Sequence, residues 1–101
     1  MTLQEMQKAV YQNKLDHHFN VKNVELEFQL LQGEVEEACE AWKEQKSDLG
    51  EELADVAIYL LGLAEILHFD LGKEIERKME INRKRKYQMV DGVLKKVQED
   101  Q

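Results

Sequence analysis

The sequence predicts an all-α fold: a four-helix, bundle-like subunit that assembles as an oligomer. Three observations lead there. Proline is absent and glycine numbers only 5 in 101 residues. Glu, Lys, Leu, Gln and Ala abound, a mixture that favours long helices with few breaks. Apolar residues then recur at spacings of three and four, in segments separated by short polar stretches.

The first segment, about Leu3 to Lys14, places Leu3, Met6 and Val10 at helical spacing, and His17-His18-Phe19-Asn20 breaks it. A longer helix is expected from about Val24 to Gln45. Val24, Phe28, Leu31, Val35, Ala38 and Trp42 draw one apolar stripe along it, with Gln29, Glu36, Glu40 and Lys43 opposite. Ser47-Asp48-Leu49-Gly50 marks a break, where Asp48 and Glu51 can form a reciprocal cap. The third helix, about Leu49 to Leu67, is apolar almost all round, which suits a central element or a subunit boundary. A fourth begins near Leu71 and is expected to continue past Tyr87, with a weak pattern through Val90, Leu94 and Val97. Residues 1–101 read as a single helical domain, with 88–101 a peripheral tail that is either a fraying helix or a partner-binding arm.

Size and charge narrow the function. A chain of 11.9 kDa gains limited burial alone, and Cys39 is its only cysteine, so no intrachain disulfide can form. A structural metal or partner subunits are the remaining usual sources of extra stability. The formal net charge of -7 opposes binding to a long polyanion such as DNA. No apolar run approaches a membrane span and the N-terminus is no signal peptide, so a cytoplasmic protein is expected, with neither nucleic acid nor membrane as partner.

The informative feature is a pair of acidic pairs. Glu34 and Glu37 lie three apart on the second helix, and Glu52 and Asp55 three apart on the third. Each pair projects from one face of its helix, next to apolar positions. The short connection makes the helices antiparallel neighbours, with both pairs near the joined end. Two unit charges about 5 Å apart repel by roughly 3 kcal/mol at an effective dielectric near 20. A hard divalent cation such as Mg²⁺ relieves that, because it takes oxygen ligands from a few carboxylates and from substrate phosphates. Spacing alone leaves a metal site and solvated or salt-bridged carboxylates both open. Glu27, one heptad before Glu34, is a further outer ligand or water-orienting base. Lys78, Asn82 and Arg85 form one stripe on the fourth helix, able to clamp phosphate oxygens or to serve as a solvated basic face.

With these elements in order, the chain resembles the MazG family of nucleotide pyrophosphohydrolases, of the all-α NTP pyrophosphatase superfamily. The family signature is E-x-x-E, a spacer, then E-x-x-D. It stands here as Gly33-Glu34-Val35-Glu36-Glu37 and Glu51-Glu52-Leu53-Ala54-Asp55-Val56, followed by Lys78-Met79-Glu80-Ile81-Asn82-Arg83-Lys84-Arg85. The resemblance covers about Leu30 to Tyr87. It implies that Glu34, Glu37, Glu52 and Asp55 bind Mg²⁺, with Mn²⁺ as a substitute. It implies that Lys78, Asn82 and Arg85 contact substrate, and that the protein is a homodimer or homotetramer. The implied reaction is hydrolysis of a (d)NTP to the monophosphate and pyrophosphate, with Glu34 or Glu37 accepting the proton of the attacking water. Pyrimidine-selective members hold the base with His and Trp, which nominates His18 and Trp42, although Trp42 also extends the apolar stripe. Phosphoribosyl-ATP pyrophosphatase, in the same superfamily, and a non-catalytic helical interaction module are the alternatives.

Overall fold

The computed structural model describes residues 1–97. Four helices follow one another: α1 (Leu3–Asp16), α2 (Val24–Lys43), α3 (Leu49–Ile66) and α4 (Leu71–Lys84). Two strands, β1 (Lys86–Val90) and β2 (Val93–Val97), close the described chain. Residues Met1–Leu71 form one compact unit and the chain from Gly72 onward another. No helix among the described residues is long and apolar enough to cross a membrane.

In the first unit α3 packs against both α1 and α2. Thr2 opens α1 with a capping box, its hydroxyl accepting from Glu5 N while the Glu5 carboxylate accepts from Thr2 N. Asn23 caps α2 by accepting from Leu26 N at 3.0 Å. The expected Asp48–Glu51 cap does not form. Asp48 is not extended (φ -92°, ψ 14°), so its side chain is not turned toward the orphan amides.

Helices α1, α2 and α3 end alike. His18, Gln45 and His68 each adopt a left-handed conformation, with φ of 58°, 55° and 64°. Beyond them the amides of Phe19, Lys46 and Phe69 reach back to the carbonyls of Lys14, Ala41 and Ala64. This is the Schellman closure, made three times without the glycine that usually supplies it.

The core differs from the expected apolar stripes. On α1 the buried residues are Gln7 and Lys14, while Met6 is exposed. Gln7 donates to Glu65 Oε1 at 2.9 Å and to the Phe69 carbonyl, and accepts from Leu71 N at 3.1 Å. All its amide directions toward the protein are used, so burial leaves no orphan polar atom. On α2 the fully buried positions are Glu27, Ala38 and Ala41, whereas Phe28, Val35 and Trp42 of the expected core stripe are exposed in the single chain. The far half of α3 is enclosed at Leu61, Gly62, Leu63 and Ala64, but Leu53, Ile58 and Leu60 are exposed.

The second unit corrects the reading of the C-terminal segment. Helix α4 stops at Lys84 and an antiparallel hairpin follows, pairing Lys86 with Val97 and Val90 with Val93. Asp91 (φ 53°) and Gly92 (φ 78°) form its two-residue loop. Positive φ at both loop positions is what a type I′ turn requires, and Asp-Gly is a preferred pair for it. Val90, Leu94 and Val97 are therefore strand residues, and the weak helical spacing through them is incidental. The last four residues of the expected tail lie outside the described residues.

Replacing Gly92 by Val puts a β-branched side chain at a left-handed position, with an expected cost of about 1–2 kcal/mol to the hairpin. Hydrogen exchange of the amides in 86–97 is expected to quicken while the helical far-UV signal holds. Unchanged protection in that segment contradicts the turn assignment.

Candidate metal centre

Helices α2 and α3 are joined by a turn of a few residues, and their packing brings the two acidic pairs together. Ligand oxygens of Glu34, Glu37 and Glu52 all lie within 4.8 Å of one another. Glu34 and Glu52 are half-buried, and Glu37 is exposed. One carboxylate oxygen each of Glu34 and Glu52 is closed off from solvent and has no hydrogen-bond partner. Asp55, one turn along α3 from Glu52, stands outside this triad and is exposed, but its charge acts on both glutamates.

The cluster alters its own proton affinity. Desolvation first, then the charges of Glu37, Asp55 and Glu52, hold the Glu34 carboxyl above the ordinary glutamate range. Glu52 is raised for the same reasons, by desolvation and then by Glu37, Asp48 and Asp55. Tyr59, on the α3 stripe that carries Glu52 and Asp55, is pushed upward by desolvation and then by Glu34, Glu27, Asp55 and Glu37. Buried carboxylate oxygens without donors, in a like-charge group, suit a hard divalent cation with oxygen ligands. Glu34, Glu37 and Glu52 would hold it directly.

An open cleft of about 480 Å³ adjoins the cluster, lined by Gly33, Glu36, Glu37, Glu40, Ala41, Lys46 and Glu52. Glu36 and Glu40 thus border the cleft with Glu37, where the helical wheel had set them on a remote watered face. Lys46 was missed by the sequence reading. It belongs to the turn rather than to a patterned helix, and the left-handed Gln45 just before it carries no sequence signature.

Glu27 is not an outer ligand. It is 1% exposed and ion-paired with Lys14, and its other oxygen accepts from Asn20 Nδ2 at 3.2 Å. Both oxygens are committed within the protein, which rules out the role of water-orienting base.

His18 is the exposed, left-handed residue just past α1, and His17 beside it stacks on Phe19 with ring centroids 5.3 Å apart. Trp42 is 66% exposed and lines an apolar groove with Val35, Ala38, Cys39, Leu49, Leu53 and Val56. In the second unit Lys78 and Asn82 are exposed and Arg85 is half-buried. Their neighbours are paired within α4: Arg77 with Glu74, and Arg83 and Lys84 with Glu80. Among the described residues Lys78 and Arg85 enter no ion pair, which leaves both cations uncommitted.

The MazG-like family profile matches residues 18–99, a span that includes the whole acidic cluster. The chain belongs to the MazG-like family. Among curated proteins it is similar to dCTP pyrophosphatase 1 of Rattus norvegicus, with 42% identity over 53 residues. That match takes in 52% of this chain and 31% of the rat protein, so the chain spans about a third of that relative's length. Among solved structures it is similar to a MazG-like pyrophosphohydrolase of cyanophage S-2L, bound to dGDP and three catalytic Mn²⁺ ions per active site. The TM-score is 0.73 and the identity 25%, covering 97% of this chain and 99% of the other.

The raised Glu34 and Glu52 values fix the sign of a pH effect. The folded state holds these protons more tightly than the unfolded chain, so ionising them costs stability. That cost is absent below the ordinary glutamate value and grows as pH rises through the shifted range. Above the raised values it is fully present. Metal-free Glu52→Gln is therefore expected to melt higher than the wild type at about pH 8, and the gap is expected to shrink at about pH 5. A gap that does not change with pH, or has the opposite sign, contradicts the cluster's electrostatics.

Proposed function

We propose that the protein is a Mg²⁺-dependent nucleoside triphosphate pyrophosphohydrolase, converting a (d)NTP and water to the (d)NMP and pyrophosphate. The observation that carries this reading is the three-carboxylate group, with orphaned oxygens on Glu34 and Glu52, in a MazG-like chain. Support comes from the dCTP pyrophosphatase named for the rat relative and from the Mn²⁺-bound cyanophage enzyme.

Glu34, Glu37 and Glu52 would hold the divalent cation, with Asp55 as the fourth proposed ligand. Such an ion, when bound, neutralises phosphate oxygens and lowers the pKa of coordinated water. The water oxygen bonds to the α phosphorus, and the bond from that phosphorus to the α–β bridging oxygen breaks, releasing pyrophosphate. Glu34 or Glu37 accepts the proton that the attacking water loses. Lys78, Asn82 and Arg85 meet the phosphates or the sugar, and the two cations offset charge gathering on the leaving group. No step needs a covalent protein intermediate.

The nucleoside end is assigned to the Tyr59 side of the cluster, where Phe19 and Tyr59 line a small pocket, with His18 the neighbouring candidate for a base contact. Trp42 is assigned to subunit contact instead. It lies with Val35, Leu49, Leu53 and Val56 along an apolar groove of about 420 Å³, a surface that supports a homodimer or a homotetramer. The cytoplasm, where nucleoside triphosphates are abundant, is the proposed compartment, and trimming of the nucleotide pool the proposed role.

A panel of the (d)NTPs and phosphoribosyl-ATP, each incubated with the protein and Mg²⁺ or Mn²⁺, tests the reading through its products. Monophosphate and pyrophosphate are expected, with turnover lost by more than about a hundredfold in Glu52→Gln, beyond the usual effect of an outer-shell change. Diphosphate and phosphate, or turnover of phosphoribosyl-ATP alone, contradicts the assignment. Lys78→Ala and Arg85→Ala are each expected to weaken substrate use by roughly tenfold or more in kcat/KM, as for loss of a charge-assisted bond. Wild-type kinetics in both exclude the α4 clamp.

A further inference from the structure

The first unit buries a second charged group that the proposed chemistry leaves unused. Lys14 of α1 and Glu27 of α2 form an ion pair, with side chains 9% and 1% exposed. The Lys14 ammonium lies 5.5 Å from the ring centroid of Tyr59 on α3. Three helices meet at this point, and the charges of Lys14 and Glu27 oppose each other there.

The surroundings hold that ammonium in place. Asn20 Nδ2 donates to the second Glu27 oxygen at 3.2 Å, and Asn20 Oδ1 accepts from the amides of Lys22 and Asn23. The Lys14 stem runs against Gly62, where an added Cβ would sit 2.8 Å from Lys14 Cε and 3.4 Å from Val10 Cγ1. Glycine at that helical position leaves room for a side chain pinned at its far end, despite its low helix propensity.

Stability alone does not call for such a pair. Burying two ions is costly, and neutral side chains of similar volume often serve a core equally well. What the pair adds is a fixed cation against one aromatic face, an attraction strengthened by desolvation. Tyr59 is also the residue shared by two features. Its ring lines a small pocket with Val10, Asn13, Lys14, Phe19 and Ile58, and its hydroxyl feels the charges of Glu34, Glu27, Asp55 and Glu37.

We propose that Lys14 and Glu27 are positioning residues: their buried ion pair holds the Tyr59 ring as the wall between the carboxylate cluster and the adjoining pocket, and so sets how the nucleoside end of the substrate is seated. This rests on the function proposed above. Neither residue touches the reacting atoms; both act through Tyr59. Loss of the pair therefore weakens nucleotide binding more than it slows the chemistry, and leaves metal binding intact.

The test compares four variants as whole chains with Mn²⁺ and the four dNTPs. Lys14→Met/Glu27→Gln keeps the volumes and the Asn20 contact but removes both charges, so no unpaired ion is left buried. Its KM is expected to rise about tenfold or more with kcat within about threefold of wild type, the pattern of lost uniform binding. Its Mn²⁺ affinity, read by electron paramagnetic resonance, is expected to be unchanged. Gly62→Ala, which alters no charge and favours the helix, is expected to raise KM in the same direction by displacing the Lys14 stem. Adding Lys14→Met/Glu27→Gln to Tyr59→Leu is expected to raise KM no further than Tyr59→Leu alone, because residues acting through one another are not additive.

A folded charge-free variant with wild-type KM, or effects that simply add to those of Tyr59→Leu, overturns the positioning role and leaves the pair a structural staple. Wild-type protein that binds no Mn²⁺ and turns over no dNTP overturns the underlying function and this proposal with it. Normal wild-type turnover beside an unaffected variant overturns this proposal alone.

Discussion

Mutual repulsion among carboxylates at the α2–α3 junction is the constraint around which the first unit is arranged. Packing those helices brings Glu34, Glu37 and Glu52 within reach of one ion, and desolvates an oxygen on two of them without a donor in return. Native proteins rarely leave buried polar atoms orphaned, and like charges at this range oppose folding. A small hard cation entering among these oxygens would offset both penalties. The site is therefore folded at the expense of local stability, a common condition of functional centres.

The contrast with the neighbouring Lys14–Glu27 pair is instructive. There the buried carboxylate is answered by a buried ammonium and by Asn20, so its charge is complete within the chain. The two acidic groups lie on the same helix, one heptad apart, and differ in what faces them. Glu27 looks toward α1 and its lysine. Glu34 looks toward the acidic first turns of α3. Tyr59 is common to both environments, with the Lys14 ammonium 5.5 Å from its ring centroid and the charges of Glu34, Glu27, Asp55 and Glu37 acting on its hydroxyl.

Much of this was legible in the residues. The four helices, their breaks and the meeting of Glu34 and Glu37 with Glu52 follow from periodicity and spacing, whereas Asp55 stands outside that triad. Three parts were not. Apolar periodicity hid the true inner face of α1, because Gln7 and Lys14 are buried through specific partners on other segments, which a helical wheel does not contain. The stripe through Phe28, Val35 and Trp42 is a genuine apolar face, but it is exposed in the single chain and does not enter the chain's own core. The hairpin after Lys84 carried a readable Asp91-Gly92 signal, which the i, i+4 spacing of Val90 and Leu94 obscured. The helix ends also lacked their usual glycine, so Lys46 could not be placed beside the cluster from sequence.

Anomalous diffraction from crystals equilibrated with Mn²⁺ tests the central claim most directly. The account predicts an anomalous peak ligated by Glu34, Glu37 and Glu52, and its disappearance in Glu52→Gln. Crystals that show Mn²⁺ bound only elsewhere, or those three carboxylates turned apart into solvent with no ion among them, would contradict it.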